Sequence, residues 1–220
     1  MKNTTLALLF LLFGVTLSAP AVDLFNTLPA TNNTGSELPA GYRIGQSFST
    51  TATSYNITSV DIALSLTTTT SSGTYKISIY GYDTSNNNPT TEVSGSVIYN
   101  GAPTNLSTSV QTLNFNGLNI ALSPSTKYYL MLTNNSVTGG TNGIYWEYTN
   151  DASTSASTGY SGTFYTDDYY GSPNWSTGAA GNSPYIMRIQ SSTVPEPTTW
   201  VLGLIAGGSL LGVARYRRKP

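Results

Sequence analysis

The sequence predicts an all-β fold: a two-sheet antiparallel β-sandwich of the jelly-roll kind, flanked by an N-terminal signal helix and a C-terminal transmembrane helix. Apolar residues in the central region alternate with polar ones at a period of two, which indicates strands with one apolar face. Clusters of Gly, Pro, Asn and Ser separate these segments, and no central window carries the 3.6-residue apolar stripe of a helix. Such strands bury their apolar faces most simply when two sheets pack face to face.

Five segments carry this alternation clearly. Their apolar positions are Val60, Ile62, Leu64 and Leu66; Tyr75, Ile77 and Ile79; Tyr128, Leu130 and Leu132; Ile144, Trp146 and Tyr148; and Tyr185, Met187 and Ile189. Shorter candidate strands lie at 44–48, 97–99 and 113–115. The stretch 149–182 is the least regular, and the aromatic residues within it indicate a functional loop rather than simple disorder.

The chain is poor in charged residues. They make up 9% of the 220 residues, against roughly 25% in an ordinary soluble protein. Residues 22–193 hold four basic residues against nine acidic ones, a formal charge of −5. This region lacks the clustered Lys and Arg that nucleic acid requires, whereas its many hydroxyl and amide groups suit a surface that faces water and polysaccharide.

The chain contains neither Cys nor His. The missing Cys excludes disulfides, thiolate nucleophiles and zinc–thiolate sites. The missing His excludes Ser-His-Asp hydrolysis and histidine-bound metals, and removes the side chain most often used for proton transfer near neutral pH. The composition therefore favours a protein that is not an enzyme.

Residues 1–21 are predicted to be a secretory signal peptide. Lys2 precedes an apolar run at 6–17, which is shorter than the roughly 20 residues of a membrane span. Ala19 and Ala21 flank Pro20 in the small-x-small cleavage pattern, so the mature chain should begin at Val22. The expected partners are the Sec translocon and signal peptidase, and the alternative is a retained N-terminal anchor.

Residues 194–220 are predicted to form a sorting signal at the C-terminal end. Pro195, Glu196 and Pro197 hold the backbone extended at 194–199, because proline cannot continue a helix. An apolar segment at 200–214 follows, long enough as a helix for a marginal membrane span. The basic end at 215–220 should stay in the cytoplasm by the positive-inside rule; its charged residues are Arg215, Arg217, Arg218 and Lys219.

This order of parts resembles the PEP-CTERM sorting signals. The resemblance implies recognition by an exosortase, a membrane-embedded cysteine transpeptidase of Gram-negative bacteria that produce exopolysaccharide. It also implies transient insertion in the inner membrane, removal of the tail, and delivery to the outer envelope, cell surface or extracellular matrix. The alternative is an ordinary tail-anchored membrane protein with a proline-rich linker.

The central region, assigned as an ectodomain at 22–193, resembles the R-type choice-of-anchor domains. The similar segments are GQSF at 45–48, ITSV at 57–60 and LSPSTKYYL at 122–130. These are β-sandwich ectodomains that end in varied sorting signals. The resemblance implies no catalytic residues, because that group has no established activity.

Two kinds of chemistry remain open for the ectodomain's acidic residues. Asp167 and Asp168, with Asp151, or alternatively the segment 83–86, have the hard oxygen atoms that Ca²⁺ prefers, although neither follows a known calcium motif. Glu147, predicted on the face opposite Trp146, is a conceivable member of a carboxylate pair for glycoside hydrolysis, but the sequence names no second member.

The aromatic residues indicate a further possibility. Aromatic side chains stack on sugar rings while their polar tips form hydrogen bonds, and Tyr169, Tyr170 and Trp175 are the predicted glycan contacts. Trp146 alternates with core positions and is predicted to lie in the core. Ice binding would need a flat, regular Thr array, and 67–70 supplies only one short run.

These observations predict an exported, non-catalytic surface or extracellular-matrix protein, structural or adhesive in exopolysaccharide. A carbohydrate-binding module is the alternative. A polysaccharide-active enzyme or an ice-binding protein is a weaker one. No cofactor is expected, apart from the calcium alternative.

Overall fold

The computed structural model describes residues 21–28, 34–68, 72–85, 88–138, 143–149, 164–169, 172–177 and 184–194, with the backbone alone at 164–169 and 172–177. These residues form twelve strands and one turn of 3₁₀ helix at Pro103–Asn105. The strands are β1 (Ala21–Asn26), β2 (Thr34–Leu38), β3 (Arg43–Ser49), β4 (Tyr55–Leu66), β5 (Tyr75–Asp83), β6 (Asn88–Gly101), β7 (Gln111–Leu122), β8 (Lys127–Asn134), β9 (Ile144–Tyr148), β10 (Phe164–Tyr169), β11 (Ser172–Thr177) and β12 (Met187–Thr193).

The strands form two sheets, and every pairing between them is antiparallel. In the first sheet the long strand β4 is central: β7 lies along one side of it, and β12 followed by β9 lies along the other. β1 pairs with β12, and β2 pairs with β9. The second sheet has the order β11-β10-β3-β8-β5-β6. Several strands that are neighbours in a sheet are distant in sequence, which is the strand order of the two Greek keys in a jelly roll. The prediction of an all-β fold with two sheets is confirmed.

The core lies between the sheets, where the alternating apolar sets meet. Ile57, Val60, Ile62 and Leu64 of β4 face Ile77, Ile79, Leu130 and Leu132 of the second sheet in one continuous apolar cluster. Trp146 is fully buried and stacks on Tyr185 with ring centroids 4.4 Å apart, which confirms its predicted place in the core.

The turn between β4 and β5 is held against the loop after β8. Gly73 has φ +102°, and a Cβ atom there would lie 2.1 Å from the carbonyl oxygen of Ser136. Gly143 has φ +85° and would meet Val137 in the same way. Both positions need glycine because an L side chain is strained at such φ values and has no room.

The structure departs from the sequence prediction mainly at the sheet edges. The predicted strand at 97–99 is the C-terminal part of the much longer β6, and that at 113–115 is the N-terminal part of the much longer β7. The irregular stretch 149–182 contains the hairpin β10–β11, which extends the second sheet beyond β3. β8 is buried on both faces rather than one.

The predicted signal peptide and the predicted sorting tail fall almost wholly outside the described residues. The signal peptide 1–21 is represented only by Ala21, and the tail 194–220 only by Val194, whose backbone N–H donates to the carbonyl oxygen of Ser54 at 3.0 Å. Val22, the predicted mature N-terminus, lies in β1 opposite Ser191. Within the described ranges no helix has the length and apolarity needed to cross a membrane.

Candidate functional site

The outer face of the second sheet, the side turned away from the core, carries a row of residues that runs across all six strands. Directly paired residues of antiparallel strands share a face, so the register defines this row. Its members, strand by strand, are Trp175, Asp167, Arg43, Thr133, Lys76 and Asn100. Six strands at about 4.8 Å spacing make the row about 24 Å long. We call it the outer row.

The outer face of the second sheet carries most of the ectodomain's positive charge. Three of the four basic residues of 22–193 lie there: Arg43, Lys76 and Lys127. Lys76 forms an ion pair with Glu92 at 2.7 Å. In the part of the chain that the structure describes, no carboxylate lies within ion-pair distance of Lys127. The Lys127 ammonium group is therefore available to an external anion.

Beside Lys127 lies an apolar group of three tyrosines and one methionine, Tyr80, Tyr82, Tyr129 and Met131, which we call the tyrosine cluster. The Lys127 Nζ atom lies 4.3 Å from the ring centroid of Tyr82 and 5.9 Å from that of Tyr129. These are cation–π distances. Burial lowers the pKa of Lys127 from its ordinary value, because the apolar surroundings disfavour the charged form.

The tyrosine cluster exposes only part of itself. Tyr129 and Met131 are fully buried although they face away from the core, whereas Tyr82 and Lys127 are half-buried. Gly45 makes room for the Met131 side chain, whose Sδ would lie 3.1 Å from a Cβ atom at that position. The groups that a ligand can reach are therefore the Tyr82 ring and the Lys127 ammonium group, next to the buried side chains of Tyr129 and Met131.

Two buried hydroxyl groups on the same face have no hydrogen-bond partner among the described residues. They are Ser78 Oγ on β5 and Thr133 Oγ1 on β8. A buried unpaired hydroxyl costs about 1–3 kcal/mol. Both hydroxyl groups are buried, so the Lys127 ammonium group beside Tyr82, rather than these hydroxyl groups, suits an acidic ligand.

The outer face of the first sheet has the opposite character, because its polar groups bind one another. Gln190 Nε2 donates to Asp23 Oδ1 at 3.1 Å, and Ser59 Oγ donates to Gln190 Oε1 at 3.0 Å. Asp61 accepts hydrogen bonds from Arg188 and Asn114. This network joins β1, β12, β4 and β7 by hydrogen bonds between side chains of the sheet.

Glu147 lies on the first sheet's outer face, opposite to Trp146 as predicted. It is 3% exposed, and Ser65 Oγ donates to its Oε1 at 2.5 Å. The register places Gly35 of β2 directly opposite, and the other carboxylate oxygen lies over that glycine. Glu147 is therefore enclosed in the sheet surface rather than presented to solvent.

The second carboxylate near Glu147 is Glu37, which sequence reasoning missed because β2 shows no apolar alternation. Glu37 lies opposite Tyr145, and the Tyr145 hydroxyl group donates to its carboxylate. That hydrogen bond raises the pKa of Tyr145. Glu37 is thus diagonal to Glu147 on one face, but each carboxylate accepts a hydrogen bond from a hydroxyl group of this face.

The predicted glycan and calcium residues are only partly placed. Tyr169 and Trp175 lie on the hairpin β10–β11, where Trp175 belongs to the outer row, while Tyr170 lies outside the described residues. Asp83 Oδ1 accepts from the backbone N–H of Ser85 at 2.8 Å, which is an ordinary turn contact. Within the described ranges no group of three acidic residues is arranged to hold a metal ion. Asp151 and the sorting residues Pro195, Glu196 and Pro197 lie outside those ranges.

Comparison with known proteins identifies the C-terminal segment. Residues 193–219 match the PEP-CTERM protein-sorting motif. The chain therefore carries this motif, which marks an exported protein that transits a membrane and is processed by an exosortase. The choice-of-anchor resemblance of the central region is supported by no family match and stays a prediction.

The other comparisons add little. No curated protein matches the sequence. Among solved structures, the chain is similar to the cysteine protease and lectin-like domains of Cwp84, a surface layer associated protein of Clostridium difficile, with a TM-score of 0.47 and 11% identity. The likeness covers 70% of this chain and 32% of the other, so this chain spans about a third of that length. At this level of similarity no functional conclusion follows.

Proposed function

We propose that this protein is an exported, non-catalytic surface or extracellular-matrix protein, structural or adhesive in exopolysaccharide. The match to the PEP-CTERM motif at 193–219 carries the proposal. The motif begins at Thr193, the last residue of β12, so a complete sandwich precedes the sorting segment.

The proposed export route follows from the signal peptide and the sorting tail. The signal peptide at 1–21 enters the Sec translocon, signal peptidase releases Val22, and the apolar segment 200–214 holds the chain in the inner membrane. An exosortase then cuts near Pro195–Glu196–Pro197, and the ectodomain passes to the envelope or matrix.

The sorting step is tested with Glu196→Ala in a host that encodes an exosortase. We expect the variant to accumulate in the inner membrane with its tail attached, whereas the matched variant Thr199→Ser is processed normally. Normal processing of Glu196→Ala would contradict the assigned role of Pro-Glu-Pro.

The non-catalytic role is supported by the state of Glu147 and Glu37. Glu147 is enclosed and bonded to Ser65, and Glu37 is bonded to Tyr145. A carboxylate pair that cleaves glycosides needs one member that protonates the leaving group and another that activates water or attacks the sugar. Activity on a polysaccharide panel that disappears in Glu147→Gln would overturn the proposal.

Glycan recognition by the outer face of the second sheet is the second candidate. It is favoured by Lys127, an ammonium group beside Tyr82 with no carboxylate partner among the described residues. The expected ligand class is an acidic polysaccharide, whose carboxylate or sulfate groups pair with Lys127 while sugar carbons contact the tyrosine ring.

Affinity electrophoresis in acidic and neutral polysaccharides tests this candidate. Retardation by the acidic polymer should weaken in Lys127→Gln and fall with added salt. Lys76→Gln is the matched control, because it removes one positive charge that Glu92 already pairs. No retardation by any matrix polysaccharide, or equal loss in both variants, would reject the assignment to Lys127.

A further inference from the structure

One edge of the first sheet is open over a long strand. β7 pairs with β4 along one side, and no described residue pairs with its other side. From Gln111 to Asn116 the register with β4 is continuous, and it then shifts next to Gly117, which has φ +71°. In an antiparallel strand every second residue directs its backbone N–H and C=O groups to the same side. Alternate residues of these six therefore present unpaired groups on the open side, a template for another strand.

The other sheet edges carry features that discourage pairing with a further strand, and β7 does not. β6 contains Pro89 and Glu92 and shifts register three times. β1 carries Asp23 beside a bulge, β2 is five residues long with Glu37, and β11 contains Pro173. Charges, prolines, bulges and short length are the usual protections of an edge strand. Across its twelve residues β7 has no charged residue and no proline, and its one irregularity follows Asn116.

The apolar side of β7 is also incompletely covered. Leu113 and Phe115 point toward the core but stay half-buried, and Tyr99 of β6 lies beside Phe115 with ring centroids 5.7 Å apart. Val110, the residue that precedes β7, is 44% exposed. A strand added to β7 would cover part of this apolar surface with its own inward side chains.

We infer that β7 is the contact through which a second copy of this chain extends the first sheet, with the two β7 strands antiparallel. Copies whose ectodomains each carry a formal charge of −5 repel one another. Among the sheet edges, β7 is the long one free of charge, so self-pairing there sets no like charges directly opposite. A two-fold axis also places the same surface of each copy against the other, so no second binding surface is needed.

The alternation of β7 sets the register. Directly paired residues must share a face, so inward Leu113 and Phe115 pair with each other across the interface when Asn114 lies on the two-fold axis. Thr112 then lies opposite Asn116 of the second copy. Thr112 and Asn116 are both exposed in the single chain.

Cysteine cross-linking of the full chain in detergent tests this arrangement, and the chain has no Cys of its own. The double variant T112C/N116C should form a covalent dimer under mild oxidation, because opposite residues lie within disulfide range. The single variants should link far less, since identical positions then lie several residues apart. The matched control T91C, at an exposed position of β6, should form no disulfide-linked dimer.

A charge added to the β7 edge provides a second test of the dimer. Thr112→Lys should weaken dimerisation in sedimentation by about tenfold or more, and Thr91→Lys on β6 should not. A monomeric wild-type chain, equal cross-linking of single and double variants, or a dimer unaffected by Thr112→Lys would overturn the inference. Contact through the C-terminal apolar segments alone would give the last of these results.

Discussion

Arg188 pairs with the carboxylate of Asp61: its Nε atom donates a hydrogen bond to Oδ2 at 2.7 Å, and its Nη2 atom forms an ion pair with the same oxygen at 2.6 Å. Asn114 donates to the other oxygen. The Asp61 side chain is 4% exposed and that of Arg188 is 34% exposed. This contact ties β12, the last strand of the sandwich, to β4 at the centre of the first sheet.

The two partners should differ in their effect on stability. Arg188→Met leaves a buried carboxylate without its cation and should lower the free energy of unfolding by about 3 kcal/mol. Asp61→Asn leaves an arginine that can turn to water, so the loss should be about 1–2 kcal/mol. Urea unfolding followed by tryptophan fluorescence measures both, and a larger loss for Asp61→Asn would contradict this account.

Asn134 is expected to be the most sensitive polar position of the β8 turn. Its buried side chain donates to the carbonyl oxygens of Leu38 and Val137 at 2.8 and 3.1 Å and accepts from the Val137 N–H at 2.6 Å. Asn134→Ala should cost about 2–4 kcal/mol, because the backbone groups it binds are left unpaired. The matched variant Asn135→Ala, in the next position, should cost far less in the same thermal or urea unfolding.

Alkaline pH should destabilise the sandwich through two tyrosines. Burial raises the pKa of Tyr75 and of Tyr185 well above the ordinary value, although their hydroxyl groups donate to Asn105 and Ser36. Below a pH of about 10 the folded and the unfolded chain both keep these two protons, so the buried tyrosines make their full contribution to the free energy of unfolding. Above it the unfolded chain loses protons that the folded chain keeps, so the free energy of unfolding should fall by about 1.4 kcal/mol per pH unit for each.

The double variant Tyr75→Phe/Tyr185→Phe provides the control for this pH dependence. Its stability should decline less steeply above pH of about 10 than that of the wild type. Unfolding curves across the alkaline range, with tyrosinate absorbance as a second signal, give the slopes. Equal slopes in the two proteins would mean that other groups control alkaline unfolding.

Glu147 should act in stability and not in catalysis. Ser65→Ala removes the hydroxyl group that donates to a carboxylate 3% exposed, and should cost about 1–3 kcal/mol. Glu147→Gln keeps the volume and an acceptor oxygen, so it should leave the fold intact and cost less. Unfolding of both variants checks the order, and greater stability of Ser65→Ala would be the contrary result.

The sequence was most informative where strands are buried on one regular face. The alternation at Val60, Ile62 and Leu64 specified β4, and that at Leu130 and Leu132 specified β8, because their inward positions form the apolar core. Edge strands such as β2 and β11 contain too few apolar residues to leave an apolar period in the sequence. Their polar composition gives the same signal as a loop, and so 149–182 gave no sign of a hairpin.

The site was less predictable for a similar reason. Lys127 and Tyr82 are 45 positions apart in sequence, and only the pairing of β5 with β8 places them on one face. Glu37 became recognisable as a neighbour of Glu147 only through the pairing of β2 with β9. Local patterns predict which face a residue occupies, whereas the partners across the sheet depend on strand order, which no short motif encodes.

The central claim is that this chain is exported, freed of its tail, and works outside the cell as a folded sandwich. Mass spectrometry of the protein recovered from the cell surface and medium tests it directly. The recovered chain should begin at Val22 and end between residues 195 and 199. A surface form that still ends at Pro220, or an intact chain found in the cytosol, would contradict it.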